Sequence, residues 1–285
     1  MTTTDTEGNA RPAHAGRAAG PQDAEMLLRL RGIGKSFGAV QALVGIDLDI
    51  PAGQVTALVG DNGAGKSTLI KTIAGIWEPT SGQILWRGHQ VQLRDPKDAT
   101  NLGIATVYQD LALCDNLDIV HNMFLGHELR QHWLLDEVGM ELSAKRTLSE
   151  LAVTTVRSIR QPVGSLSGGQ RQAIAVAKAV MQDAKLVIMD EPTASLGVSQ
   201  TAQVLDLIGG LASRGIAVVV ISHNLTQVFE VADRMAVLRL GHLVAVGPAT
   251  GFDTQSVVEL MTTGESQQLS GGPTPPGGIA NGPEG

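Results

Sequence analysis

The chain has one cysteine, Cys114, in 285 residues. That excludes an internal disulfide and fits a reducing compartment, with the thiol reading as a small core filler. No apolar run approaches the roughly eighteen residues needed to cross a bilayer. The longest, Ile216-Ala217-Val218-Val219-Val220-Ile221, has the length of a strand, and no membrane span is expected. Basic residues are not in excess. Lys and Arg number 21 against 28 Asp and Glu, a net charge of −7 with a pI near 5.5, so there is no bulk electrostatic reason to expect nucleic acid. Residues 1–22 lack the continuous apolar region of a secretory signal, and a cytoplasmic setting is expected. What remains is a chain that is 43% hydrophobic with mean hydropathy +0.09, a soluble globular composition with ample core.

The stretch that organises this chain is Gly60-Asp61-Asn62-Gly63-Ala64-Gly65-Lys66-Ser67-Thr68, which fits the phosphate-cradling pattern G-x-x-x-x-G-K-[ST]. An apolar run at 55–59 reads as a buried strand before it, and residues 67–74 read as a helix after it, the context the pattern requires. Glycines let the backbone wrap an anion, amide N–H groups point inward, and the helix N-terminus adds partial positive charge. Lys66 then reaches the β- and γ-phosphates, with the Ser67 hydroxyl on magnesium.

Residues 26–30 and 44–50 read as strands of an antiparallel edge sheet, the second alternating apolar and polar residues. Between them, Phe37 offers a flat face to an adenine ring, although a lone aromatic is more often simply packed. Residues 83–87 and 91–93 form a short hairpin, and 103–108 a further strand ending at Gln109. A glutamine there can coordinate magnesium or hold the attacking water; read alone, it fits a surface loop better.

From 116 to about 161 the pattern is helical without obvious strands, with Leu142, Leu148, Leu151 and Val156 among charged residues, and reads as a separate helical lobe. His121, His127 and His132 are spaced six and five apart, off one helical face, so capping or solvated roles are expected rather than a metal site. Leu166-Ser167-Gly168-Gly169-Gln170 then opens a helix with a hydroxyl and two glycines at its tip, a second anion site by the same helix-terminus physics. A Ser N-cap accounts for Ser167 alone. One chain has no need of two such sites for one γ-phosphate, which suggests that this one serves a nucleotide held by another copy.

Residues 185–192 read as a strand buried on both faces and ending in two carboxylates, Asp190 and Glu191. Asp190 is placed for the magnesium shell, and Glu191, pointing the other way, for polarising a water. After a helix over 199–212 and a strand over 216–221, His223 sits at the strand's carboxyl end, where open α/β sheets place their chemistry, and can meet the γ-phosphate through an imidazole N–H. A helix over 225–232 and a hairpin of 235–239 with 243–246 finish the domain.

In this order, residues 60–68, Gln109, 166–170, Asp190-Glu191 and His223 resemble the Walker A, Q-loop, signature, Walker B and switch histidine of the ATP-binding-cassette (ABC) ATPases, over roughly residues 26–263. The resemblance implies an α/β P-loop NTPase fold: a mainly parallel core sheet, an antiparallel β edge subdomain and a helical subdomain at about 116–182. Residues 1–25 and 264–285 are read as low-complexity tails. It also implies ATP and Mg2+, with Ser67, Gln109 and Asp190 at the metal, Lys66 on the phosphates and Glu191 as base for water. Two cassettes would close head to tail, so that Ser167, Gly168 and Gln170 of one contact the γ-phosphate held by Lys66 of the other. Residues 118–128 and 221–234 look like the bacterial carbohydrate-importer ATPases for monosaccharides, in a single-cassette form. Partners would be a second ATPase subunit, an integral-membrane permease docking on the helical lobe and Gln109 loop, and indirectly a sugar-binding protein, at the cytoplasmic face of the membrane. Two departures stand out: Gly197 replaces an aspartate common after Walker B, and Phe37 stands where the adenine-stacking residue is often tyrosine. Alternatives are importing a non-sugar solute, serving DNA repair or translation as a soluble ABC ATPase, or binding nucleotide as a regulatory module. The repair reading lacks a long coiled coil, second cassette or basic arm; the module reading sits poorly with Lys66, Asp190, Glu191 and His223 all present.

Overall fold

The computed structural model describes residues 25–266, so the expected tails at 1–25 and 264–285 lie almost entirely outside the described residues. The chain opens with a long antiparallel hairpin, β1 (Met26–Phe37) and β2 (Val40–Pro51). Apolar Leu28, Leu30, Ile46, Leu48 and Ile50 face inward between half-exposed Arg29, Arg31, Asp47 and Asp49, as a sheet with one wet face requires. β3 (Val55–Val59) feeds α1 (Lys66–Ile73), and β4 (Ser81–Trp86) with β5 (His89–Val91) completes a four-stranded sheet ordered β2-β1-β4-β5.

After α2 (Pro96–Asn101) and β6 (Ile104–Val107) come the lobe elements: α3 (Ile119–Phe124), a two-residue hairpin β7 (Arg130–Gln131) and β8 (Leu134–Leu135), α4 (Glu137–Glu150) and α5 (Gly168–Met181). β9 (Leu186–Asp190), α6 (Val198–Ser213), β10 (Ala217–Ile221), α7 (Leu225–Val231), β11 (Arg234–Arg239), β12 (His242–Pro248) and α8 (Thr254–Thr262) complete the order.

The central six-stranded sheet runs β12-β11-β3-β10-β9-β6, parallel except for the β11–β12 edge pair. Its strands are unbroken apolar runs because both faces are covered. Val187, Met189, Val218 and Val220 pack on one side with the α3–α6 helices; Leu186, Ile188, Val219 and Ile221 pack on the other with α1 and the antiparallel sheet. That alternation is the two-residue period of a strand.

The lobe departs from its expected all-helical character. The β7–β8 hairpin interrupts it. Leu142 is 62% exposed, whereas Met140, Ala144 and Leu148 are buried, because residues four apart share a helix face and Leu142 lies on the opposite side. His121 sits beside the cap of α3: its Nδ1 lies 2.7 Å from Asp118 Oδ1, the same oxygen that caps the helix. Among the described residues no cluster of His, Cys, Asp or Glu could hold a metal ion. The expected hairpin strand at 91–93 stops at Val91, and Leu93 leaves the sheet to be buried below it. Two further helices lie outside the expected elements. α2 is six residues long, capped by Asp95 before Pro96; α8 begins with a reciprocal Asp253–Ser256 box and packs on β11. The cap is the sequence signature of α2, whereas α8 adds Val257 and Leu260, three residues apart on its buried face.

Candidate nucleotide site

The phosphate loop links the end of β3 to α1. Gly65 takes the N-cap position of α1 in the left-handed region, φ +107°, with no side chain capping the helix. Its first-turn amides are therefore left for a ligand. At Gly60 a Cβ would sit 2.3 Å from the carbonyl oxygen of Leu238, so only glycine permits the close approach of loop and β11. Lys66 Nζ donates to the loop's own carbonyls, Gly60 at 2.6 Å and Asp61 at 3.0 Å. Burial pushes its pKa down, against the pull of Glu191, Asp61 and Asp190. A half-buried lysine satisfied only by carbonyls is a cation ready to exchange neutral acceptors for anionic ones.

A cleft of about 590 Å³ opens over this loop, within the size range of small-ligand sites. Of the residues singled out in the sequence, Asn62, Gly63, Gly65, Lys66, Ser67, Thr68, Gln109, Asp190 and Glu191 line it together. Gln109 follows β6 and Asp190 ends β9, so the sheet's carboxyl edge supplies the polar wall. Gly60, Asp61 and Ala64 shape the loop behind it: Ala64 is buried, its N–H donating to the Asp61 carbonyl. Burial raises the pKa of Asp190, and Glu191 next to it raises it further, with Lys66 and Lys71 opposing.

Glu191 adopts φ +50°, an uncommon conformation for a residue with a side chain. Its N–H donates to Ile221 at the end of β10, and its Oε1 lies 2.9 Å from His223 Nδ1. A carboxylate only accepts, so Nδ1 carries the hydrogen, and Nε2 of a neutral ring is an acceptor. Donation from His223 to a phosphate oxygen as well requires the doubly protonated ring. His223 thus joins the cleft through Glu191 rather than by lining it.

Ser67, Gln109 and Asp190 share this wall and offer three hard oxygens. A hydroxyl, an amide oxygen and one carboxylate suit Mg2+, which takes few protein ligands and completes its shell with phosphate and water.

Residues 167–170 do not line the cleft. Ser167 caps α5 in a full capping box: its Oγ accepts from Gln170 N–H at 3.3 Å, and Gln170 Oε1 accepts from Ser167 N–H at 2.9 Å. Gln170 Nε2 also donates to the Thr155 carbonyl at 2.7 Å. The glycines have a packing reason too, since a Cβ on Gly168 would meet Leu196 at 2.7 Å and one on Gly169 would meet Gln200 at 3.0 Å. Gly197 is the uncapped N-cap of α6, with open space where a side chain would be. Phe37 is 42% exposed, packs edge-on against Trp77 at 4.7 Å and has Lys35 over its ring; it is not part of the cleft wall.

Sequence reasoning missed Val40, Gln41, Ala42, Leu240 and Gly241, which with Ile221 at the end of β10 form the rest of the wall. It also missed Asn122. This fully buried amide accepts from Cys114 N–H and donates to the carbonyls of Cys114, Leu117 and Asp118, clasping the loop that follows Gln109. A polar residue inside the apolar stretch 119–125 was the available signal.

Residues 43–194 match the family described as ABC transporter. The chain is 46% identical to a fructose import ATP-binding protein of Rhizobium meliloti, over 84% of this chain and 94% of that one. It is 44% identical to a xylose/arabinose import ATP-binding protein of Sulfolobus acidocaldarius, over 83% and 94%. A ribose import ATP-binding protein of Yersinia pestis is 38% identical over 82% of this chain, which spans 46% of that longer protein. Among solved structures, the chain is similar to an ATP-binding cassette of an ABC transporter in its ADP conformation, with TM-score 0.72 and 25% identity over 84% and 95% of the two chains. It is also similar to a nucleotide-free cassette, with TM-score 0.69 and 26% identity over 78% and 91%.

Proposed function

From the premise that this chain belongs to the ABC transporter family of ATP-binding cassettes, we propose that it is the ATP-hydrolysing subunit powering import of a sugar, most simply a monosaccharide, through a separate membrane permease. One observation carries the hydrolytic part: the loop lysine, Ser67, Gln109, Asp190 and Glu191 meet in a single cleft, with His223 bonded to Glu191. The names of the fructose and xylose/arabinose relatives support the cargo. The subunit works at the cytoplasmic face of the membrane, beside that permease; no helix among the described residues is long and apolar enough to cross a membrane. The permease and, through it, a sugar-binding protein are its partners; no nucleic-acid partner is proposed.

The chain's own groups divide the work. Lys66 and the open amides of α1 hold the β- and γ-phosphates and take up charge as it develops. Glu191 accepts a proton from water as the water oxygen bonds to the γ-phosphorus and the bond to the ADP oxygen breaks. His223 occupies one carboxylate oxygen and so aims the other at the water. Mg2+, held by Ser67, Asp190 and Gln109, would neutralise phosphate charge. A second cassette supplies Ser167 and the α5 tip to the γ-phosphate, consistent with their absence from this chain's own cleft wall.

Replacing Glu191 with Gln tests this. Hydrolysis should fall by about 100-fold or more, and ATP should trap a dimer that size-exclusion chromatography resolves. A monomer hydrolysing ATP at the normal rate overturns the role given to Glu191. For the cargo, co-reconstitution with the permease and a monosaccharide-loaded binding protein should stimulate hydrolysis; stimulation only by a non-sugar solute redirects the assignment.

A further inference from the structure

The cleft wall has two chemically different ends. One carries Gln109, Asp190 and Glu191; the other, across the phosphate loop, is Val40, Gln41, Ala42 and the β11–β12 turn, Leu240 and Gly241, where only Gln41 has a polar side chain. With the phosphates and metal at the acidic end, the uncharged end faces the rest of the nucleotide. Leu240 is anomalous there. The two-residue turn takes φ +46° at Leu240 and +82° at Gly241, a turn that favours Asn or Gly at its first position. Leu pays a backbone cost, and at 69% exposure it gains little packing in return. Another turn of this kind among the described residues, Arg87-Gly88 between β4 and β5, carries a charged side chain near Glu25 at 3.6 Å. Leu240 is also held in place: Gly241 N–H donates to the Ala64 carbonyl of the phosphate loop, and Val44 N–H donates to the Gly241 carbonyl, both at 2.9 Å.

We propose that Leu240 is a nucleoside-contacting residue: fixed to the phosphate loop through Gly241, its side chain and that of Val40, itself 66% exposed, form an apolar clamp on the ribose and base of ATP. The proposal rests on the reading of the cleft as an ATP site. It locates nucleoside recognition at the β11–β12 turn, where no role has been given to any residue above, and takes that contact partly away from Phe37.

Leu240→Gly is the decisive variant, because glycine accepts φ +46° and the substitution removes the side chain without endangering the fold. Binding of MgATP and of magnesium tripolyphosphate to the full chain is measured by titration calorimetry, beside melting curves. We expect MgATP to bind about fivefold to tenfold more weakly, the loss of roughly half a buried leucine. Tripolyphosphate should stay within about twofold and the melting temperature should be unchanged or higher. An unchanged MgATP affinity overturns the proposal. So does equal weakening of both ligands, which would mean that the turn acts only through the loop. Wild-type protein that binds neither ligand overturns the ATP-site reading itself, and this proposal with it.

Discussion

The two glycine-lined helix entrances, those of α1 and α5, look alike in sequence and differ in the folded chain. At α1 the N-cap is Gly65 with no side chain closing the helix, and Lys66 rests on the loop's own carbonyls. At α5 the N-cap is Ser167 in a complete capping box, with Gln170 bonded on both sides of its amide. The first entrance is an open anion seat; the second is already satisfied from within. What α5 still offers is the Ser167 hydroxyl proton, since Oγ only accepts from Gln170 N–H. In this chain Gln170 shapes the tip, with its amide bonded to Ser167 N–H and to the Thr155 carbonyl. On the proposal above, the open seat of α1 and the self-capped tip of α5 are the two halves of one composite site.

The sharpest way to break this comparison is Lys66→Ala. It should weaken MgATP binding by about 100-fold, on the scale of a charged hydrogen bond, in a filter-binding or calorimetric measurement on the isolated chain. Ser167→Gly keeps most of the cap and removes the hydroxyl. Affinity of the monomer for ATP should stay within about twofold while turnover falls by about tenfold or more; equal losses in both would mean that α5 is a second seat after all. Gln170→Ala should leave monomer ATP affinity intact and cost about 1 kcal/mol of stability, a melting temperature lower by a few degrees.

Asp190→Asn gives the smallest effect on the fold and sharpens the contrast in charge. Burial and Glu191 hold the Asp190 carboxyl above its ordinary range, so its ionised form penalises the folded chain wherever the unfolded carboxyl is ionised. The ligand-free variant should melt slightly higher at neutral pH while losing magnesium-dependent hydrolysis. That gain should vanish as pH falls through the ordinary aspartate range, and a gain that persists in acid would assign it to another cause.

Strands β3, β9 and β10 were legible because both their faces are buried, which leaves an unbroken apolar run. The loop at 60–68 was legible because its glycine spacing and its Lys66-Ser67 pair form a local pattern, although Gly60 and Gly65 are also required by the close approach of Leu238 and Ala42. The signature stretch was half legible. Its Ser167-x-x-Gln170 capping box is a local pattern, but the bond of Gln170 to Thr155 and the contacts of Gly168 and Gly169 with Leu196 and Gln200 depend on other segments of the chain. Leu142 misled because apolar character on a short helix does not say which face meets the core.

The sequence alone determined the family, the phosphate loop and the strand-end acids, since these depend on residue type and local spacing: glycine freedom, helix-terminus amides and carboxylates after buried runs. Tertiary structure alone decided which of them share a cleft, that His223 reaches it through Glu191, that Phe37 stands apart with Trp77, and that a leucine on a distant turn joins the wall. The shared cleft, the Glu191–His223 bond and the place of Leu240 follow from the order β12-β11-β3-β10-β9-β6. Strands far apart in the chain are neighbours in space there, and no local pattern encodes who a neighbour will be.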